Sequence, residues 1–289
     1  MNFTLFKTLW GHEGTAESGA KLAAEAGFAG LESPVSDIDS EKNALADALK
    51  SYELELICEI CTTGSYVPER QATPEEHLGD LRKKIERALD LKPRFYNVMG
   101  GCDAWPVTQQ VDFFGQAKAI ADEYGVLCSF ETHRGRSFFN PWVTREILAE
   151  LPELSVTCDF SHWVVVCERL MDSEWDTILE VAKQAHHIHG RVGYDQGPQV
   201  PHPAAPEYQA ALASHERCWE AIWESQQQRG YCSTTMTPEF GPEGYLHCLP
   251  FTNAPVADLW EVNRWIGSRQ NEHFQQWSSE DKSSSLYAI

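Results

Sequence analysis

Short apolar runs alternate with longer amphipathic stretches along the chain. The short runs begin near Phe3, Ala29, Leu54, Phe95, Val126, Leu154, His186 and Cys232. They are rich in β-branched, aromatic and small apolar side chains, the composition of strands buried on both faces. Between them, residues 17–26, 40–51, 74–89, 107–124, 172–185 and 208–229 carry helical periodicity. Thr73-Pro74-Glu75-Glu76 is a helix start, with Thr as the cap and Pro in the first turn. Eight strands alternating with helices predict repeated βα units and a parallel sheet. Eight units suggest closure, so the fold expected is a single-domain (β/α)8 (TIM) barrel, with an open doubly wound sheet as the alternative.

Two segments break the rhythm. Residues 190–206 form a long Pro-rich loop after the seventh strand, expected over the barrel mouth. The barrel is expected to span residues 1–270, and the polar, Ser-rich residues 271–289 to be a tail or an oligomer arm. No Gly-rich dinucleotide fingerprint follows the first strand, because Gly11-His12-Glu13-Gly14 has the wrong spacing, and no Walker A motif occurs. No apolar run is long enough to cross a membrane, and Met1–Lys7 does not read as a signal peptide, so a cytoplasmic enzyme is expected. The nine cysteines are odd in number. Cys58 and Cys61 lack a second pair at zinc-ribbon spacing, which favours buried thiols. The net charge of −20 repels phosphate backbones and anionic lipids, arguing against nucleic-acid and membrane partners.

In a barrel of this kind, chemistry sits at the C-terminal ends of the strands. The fifth to eighth strands end in Glu131, Asp159, His189 and Glu239. Each is a metal-ligating residue type. Three carboxylates and an imidazole make a hard site for one divalent metal ion: Mn²⁺, Mg²⁺, Co²⁺ or Zn²⁺. Without a cation, converging carboxylates would repel one another. For a single strand end, the plainer explanation is a helix cap or an arginine partner. Four adjacent strand ends together favour the metal.

The segments Glu131-Thr132-His133-Arg134-Gly135-Arg136, Asp159-Phe160-Ser161-His162-Trp163 and His189-Gly190-Arg191 resemble the xylose isomerase-like barrels. That superfamily holds sugar (phosphate) isomerases and epimerases together with the AP endonucleases. The resemblance implies that Glu131, Asp159, His189 and Glu239 bind the metal and that His162 and Arg191 contact substrate oxygens. It implies carbohydrate metabolism through proton transfer next to a carbonyl, by way of a metal-stabilised enediolate. Glu131 and Glu239 would then exchange roles as base and acid. A dehydratase or lyase acting on a keto-sugar or cyclitol uses the same opening step, and the ligands alone do not separate the two. The nuclease reading requires extra histidines, yet strand three offers Cys58-Glu59-Ile60-Cys61 and strand four Asn97-Val98-Met99-Gly100. A non-catalytic binding barrel would be favoured by a lost ligand, and all four are present.

His133 lies two residues beyond Glu131 and shares its face, as a candidate substrate contact or a loop histidine bonded to backbone. Arg134 and Arg136 are candidates for a substrate anion or for pairing with surface acids. Trp10, Trp105 and Trp163 follow strand ends and could stack on a sugar face or simply pack. Glu32 and Asp103 are single candidates at the exits of strands two and four. His187 is expected on the His189 face, one layer below, and His186 toward the helices. The partner expected is a small carbohydrate-like molecule, and a homo-oligomer is compatible with the resemblance.

Overall fold

The eight apolar runs become eight short parallel strands: β1 Asn2–Thr8, β2 Gly30–Ser33, β3 Glu55–Cys61, β4 Phe95–Met99, β5 Cys128–Glu131, β6 Ser155–Cys158, β7 Ala185–His189 and β8 Ser233–Thr237. Each pairs with the next, and β8 returns to pair with β1, closing a (β/α)8 barrel. The computed structural model describes residues 1–242 and 244–279.

The outer ring is α1 Ala16–Glu25, α2 Asp39–Ser51, α3 Pro74–Ala88, α4 Val107–Tyr124, α5 Pro141–Glu150, α6 Phe160–Cys167, α7 Trp175–Ala182, α8 Gln209–Gln228 and α9 Leu259–Ser279. The cap expected at Thr73 is a complete capping box. The Thr73 side chain accepts from the Glu76 N–H, and the Glu76 carboxylate accepts from the Thr73 N–H. Asn140 caps α5 in the same position relative to Pro141. No helical pattern announced α6, because Phe160 to Val164 are all buried and leave no polar face to set a period.

The expected C-terminal tail begins inside α9. Phe274 is buried, stacks on Phe3 at 5.3 Å and meets Trp223 edge-on at 5.1 Å. Aromatic packing therefore carries the helix past residue 270, and residues 280–289 lie outside those described.

Side chains alternate in and out along every strand, which divides the barrel interior into layers. Phe6, Ile57 and Phe95 form a buried apolar floor. Gly30 belongs to the same level, where a Cβ would meet the Phe6 ring and the Glu55 carbonyl oxygen, each at 2.4 Å. The next inward positions are polar. Thr8 pairs in register with Glu32, Glu59 with Asn97, and Thr157 with His187. The outward residues Cys58, Ile60, Val98, Phe130, Val156 and Ile188 join the helices in one large core.

Cys58 and Cys61, three apart on β3, fall on opposite faces, which separates the two thiols. Burial pushes both well above the usual thiol range. All nine cysteines are free, and Cys232, just before β8, is exposed rather than buried in its strand. Among the described residues, no helix is long and apolar enough to cross a membrane.

Candidate functional site

Glu131 and His189 are the last residues of β5 and β7, Asp159 directly follows β6, and Glu239 lies two residues past β8. Strand closure brings these four ends to one side of the mouth. One potential ligand atom from each lies within 4.8 Å of all the others. His189 Nδ1 stands 2.9 Å from Glu239 Oε2 and 3.6 Å from Glu131 Oε1.

The surroundings of His189 fix its tautomer. Its Nε2 lies 3.0 Å from Glu32 Oε1, and a carboxylate can only accept, so Nε2 carries the proton. Burial alone would raise the Glu32 pKa, but His189 and His187 outweigh it and hold the carboxyl well below its usual range. Nδ1 then presents a lone pair to the cluster, where it makes no hydrogen bond despite being fully buried. A buried, orphaned imidazole nitrogen among three carboxylates, backed by a fourth on its other nitrogen, is a donor set that fits a divalent cation. Burial would lower the His189 pKa, but Glu239, Glu32 and Glu131 together raise it well above the usual histidine value. In the absence of an ion that raised pKa puts a second proton on Nδ1, which a bound cation displaces to reach the lone pair.

Asp159 divides its oxygens. Oδ1 caps α6, accepting from Ser161 N at 2.9 Å and from Ser161 Oγ at 2.5 Å. Oδ2 faces the cluster and pairs with Arg191 Nη2. Arg191 also donates from Nε to Ser161 Oγ at 2.9 Å and from Nη2 to His162 Nε2 at 2.7 Å. Its guanidinium lies over Tyr245 at 4.8 Å and Trp10 at 5.7 Å. Trp10 lies flat beneath Gly241, where a Cβ would come within 2.0 Å of the ring.

A cavity of about 320 Å³ opens beside the cluster, within the size range of small-molecule sites, roughly 300–1,000 Å³. Its walls include Trp10, Glu59, Tyr66, Glu131, His133, Arg191, Glu239 and Tyr245. Of the four clustered residues, Glu131 and Glu239 reach this space, and Asp159 and His189 are buried behind them. His133 donates from Nδ1 to the Arg134 carbonyl at 2.6 Å, which leaves Nε2 as an acceptor. Burial, then Arg191, hold its pKa well below the usual value.

Several candidates lie elsewhere. His162 does not line the cavity. Its ring packs 3.9 Å from that of His133, and it accepts from Arg191, so it positions the guanidinium from behind. Trp105 also lies away from the cavity, packed edge-on to His77 at 4.8 Å and Phe113 at 5.5 Å. The chain turns inward after β4, and the indole follows it into the core. Trp163 is fully buried and donates to the Phe138 carbonyl. Arg136 meets neither an anion nor a surface acid. It is buried and donates to the carbonyls of Thr62, Thr63, Ser65, Tyr66 and Gly101. Arg134 lies over the Tyr245 ring at 4.9 Å. Glu32 supports His189 and is sealed from the cavity. Asp103 is exposed beyond β4. His187 sits one layer down, bonded to Thr235 and Thr237. His186 faces outward to the Tyr231 hydroxyl.

Within the 190–206 loop, Arg191 lines the cavity, and Gln199 ties the loop to the β8 exit through both the N–H and the carbonyl of Gly241.

Asn97, Tyr66, Tyr245 and Glu59 were not singled out by the sequence. Asn97 donates to Glu131 Oε2 at 2.9 Å. Glu59 carried a signal: it is the one charged residue inside Leu56-Ile57-Cys58-Glu59-Ile60-Cys61, and it alternates with Ile57 onto the inner face. Burial, then Glu239, Glu32 and Glu131, push its pKa up to about 8.

Residues 20–196 match the model of the xylose isomerase-like TIM barrel family, and the chain belongs to that family. No curated protein matches it. Among solved structures it is similar to D-allulose 3-epimerase from Methylomonas sp., with a TM-score of 0.60 and 15% identity over 96% of this chain and 98% of that one. It is also similar to a probable 3-DHS dehydratase of petrobactin synthesis from Bacillus anthracis (TM-score 0.57, 14% identity, 93% of this chain and 98% of that one). A third similar structure is a xylose isomerase-like TIM barrel protein from Mycobacterium smegmatis in complex with magnesium (TM-score 0.60, 12% identity, 92% of this chain and 89% of that one). At these identities the likeness is one of fold.

Proposed function

We propose that this chain is a divalent-metal-dependent isomerase or epimerase that moves a proton on a sugar-like carbonyl compound. Glu131, Asp159, His189 and Glu239 would hold the ion. The observation that carries this reading is their convergence around the orphaned Nδ1 of His189 at the edge of a cavity of substrate size. The magnesium in the Mycobacterium smegmatis structure supports a hard cation such as Mg²⁺ or Mn²⁺. When bound, the ion supplies Lewis acidity to a substrate carbonyl and a neighbouring hydroxyl.

The chain's own residues divide the remaining work. Glu131 and Glu239, the two clustered residues that line the cavity, take a proton from the carbon next to the carbonyl and return one, each through a carboxylate oxygen. Arg191 has committed Nε and Nη2, and its Nη1 donors are left for a substrate oxygen. His162 and Ser161 hold that guanidinium in place. Tyr245 and Trp10 cover it and keep water off. Elimination begins with the same proton abstraction, so a dehydratase could be built from the same residues.

The test is exchange in D₂O. Ketoses and keto-acids are incubated with metal-loaded protein, and the α-carbon is read by NMR. Deuterium entering an intact carbon skeleton supports isomerisation or epimerisation, and loss of water supports the lyase. No exchange with any candidate, in protein carrying stoichiometric metal, overturns the proton-transfer reading. Glu239→Gln is expected to lower metal content at least tenfold and to abolish exchange. Full activity in that variant would remove Glu239 from both roles.

A further inference from the structure

A second cavity, of about 520 Å³, lies against the outer face of β1, between α1 and the start of α9. Its walls include the apolar side chains of Leu22, Phe28, Pro238, Leu246 and Trp260. It shares Trp10 with the first cavity, so the two stand on either side of one residue.

One charged side chain is sealed into this apolar setting. Lys7 points outward from β1 and lines the cavity, yet only 5% of it is exposed. Its Nζ donates to the Thr8 carbonyl at 3.0 Å and lies 4.9 Å from the centre of the Trp260 ring. An ammonium has three donors. Backbone and ring occupy two of them, and among the described residues no hydrogen bond takes the third. Nor does an acid compensate the charge. Burial lowers the Lys7 pKa, and no carboxylate among the described residues offsets that shift. The acids on the cavity wall, Glu13 and Asp258, are exposed at its rim, and Asp258 Oδ1 already accepts from the Glu261 N–H at 2.9 Å. His12, on the same wall, adds no charge at neutral pH, because burial and then Lys7 lower its pKa.

A buried ammonium without a counter-ion costs stability, and a bound anion would supply the missing partner. The spare donor of Lys7 matches a carboxylate oxygen, and the walls match an apolar body. One ammonium with two acids on the rim suits a single negative charge better than the double charge of a phosphate.

We propose that this cavity is a second binding site, for a small monocarboxylate with an aromatic or aliphatic body, whose carboxylate pairs with Lys7. None of the four clustered residues lines it, so the site stands apart from the proton-transfer reading.

The experiment is calorimetric titration of full-length, Mn²⁺-loaded protein with benzoate, phenylacetate and hexanoate. Each is compared with its neutral amide and with inorganic phosphate. At least one carboxylate is expected to bind at least tenfold more tightly than its amide and than phosphate, and to raise the melting temperature. Lys7→Met, which removes the charge and keeps most of the length, is expected to weaken that carboxylate at least tenfold, with metal content and circular dichroism unchanged. Leu22→Trp, which fills the cavity from α1 and leaves Lys7 in place, is expected to do the same, and decides the matter if the first variant misfolds. Carboxylate binding that persists in both variants places the ligand at the metal or at Arg191 and overturns the proposal. Equal affinity for the amide, tighter binding of phosphate, or no binding by any of the three carboxylates also overturns it.

Discussion

His189 shows how one side chain is made into a ligand. Its ring is oriented by Glu32, which also accepts from Thr237 and approaches His187 Nε2 at 3.4 Å. Three strands, β2, β7 and β8, thus converge on the choice of which imidazole nitrogen is free. Glu32→Gln replaces a charged acceptor by a neutral one and removes the preference for the Nε2–H tautomer. Metal affinity should fall by roughly 10- to 100-fold with the barrel intact, measured by competition with a chelating dye. Unchanged affinity would mean that the ring is held by packing alone. The candidate ligands themselves were legible in the sequence, because a strand end fixes where a residue sits in a barrel. The roles of Trp105, His162 and Arg136 were not. They depend on which way a loop or a first helical turn carries the side chain, and no spacing rule encodes that direction.

At the scale of the element, the strands and most helices followed from apolar periodicity and caps. Of the helices not expected, α5, α6 and α9, the second is informative: α6 is capped by Asp159 itself, so one residue both starts a helix and faces the cluster. The loop after β3 is a second case. Thr62, Thr63, Ser65 and Tyr66 have their carbonyls gathered by one guanidinium from the loop after β5. Ser65 and Tyr66 line the cavity, so Arg136 sets the shape of that wall without touching it. Arg136→Met would leave several buried carbonyls without donors, at about 1–3 kcal/mol for each one that water cannot reach. Lower urea stability and faster proteolytic cutting within residues 62–72 are expected. Wild-type resistance at that segment would show that the loop holds itself.

On the scale of the whole molecule, charge matters most. A chain of net charge −20 encloses a cavity with carboxyls on both walls. Among the described residues, Lys7, Arg136 and Arg191 are buried cations that run against this trend. Lys7, on the outer face of β1, is 5% exposed, and burial lowers its pKa to about 8. Its folded pKa lies below its unfolded value, so between about pH 8 and pH 10.5 the unfolded chain holds the extra proton. That group's destabilisation is therefore complete below pH 8 and is relieved as the pH rises. Lys7→Met should raise stability at pH 7 by at most about 3 kcal/mol, a gain that fades toward pH 10.5 in thermal melts. A gain independent of pH would point to packing instead.

The apolar floor of Phe6, Ile57 and Phe95 closes the barrel from below. On that side the cavity has no exit among the described residues. Under the proposed reaction, product leaving by the mouth meets substrate arriving by it. Crowding there makes product and substrate rivals for the same opening, so accumulated product should slow turnover competitively.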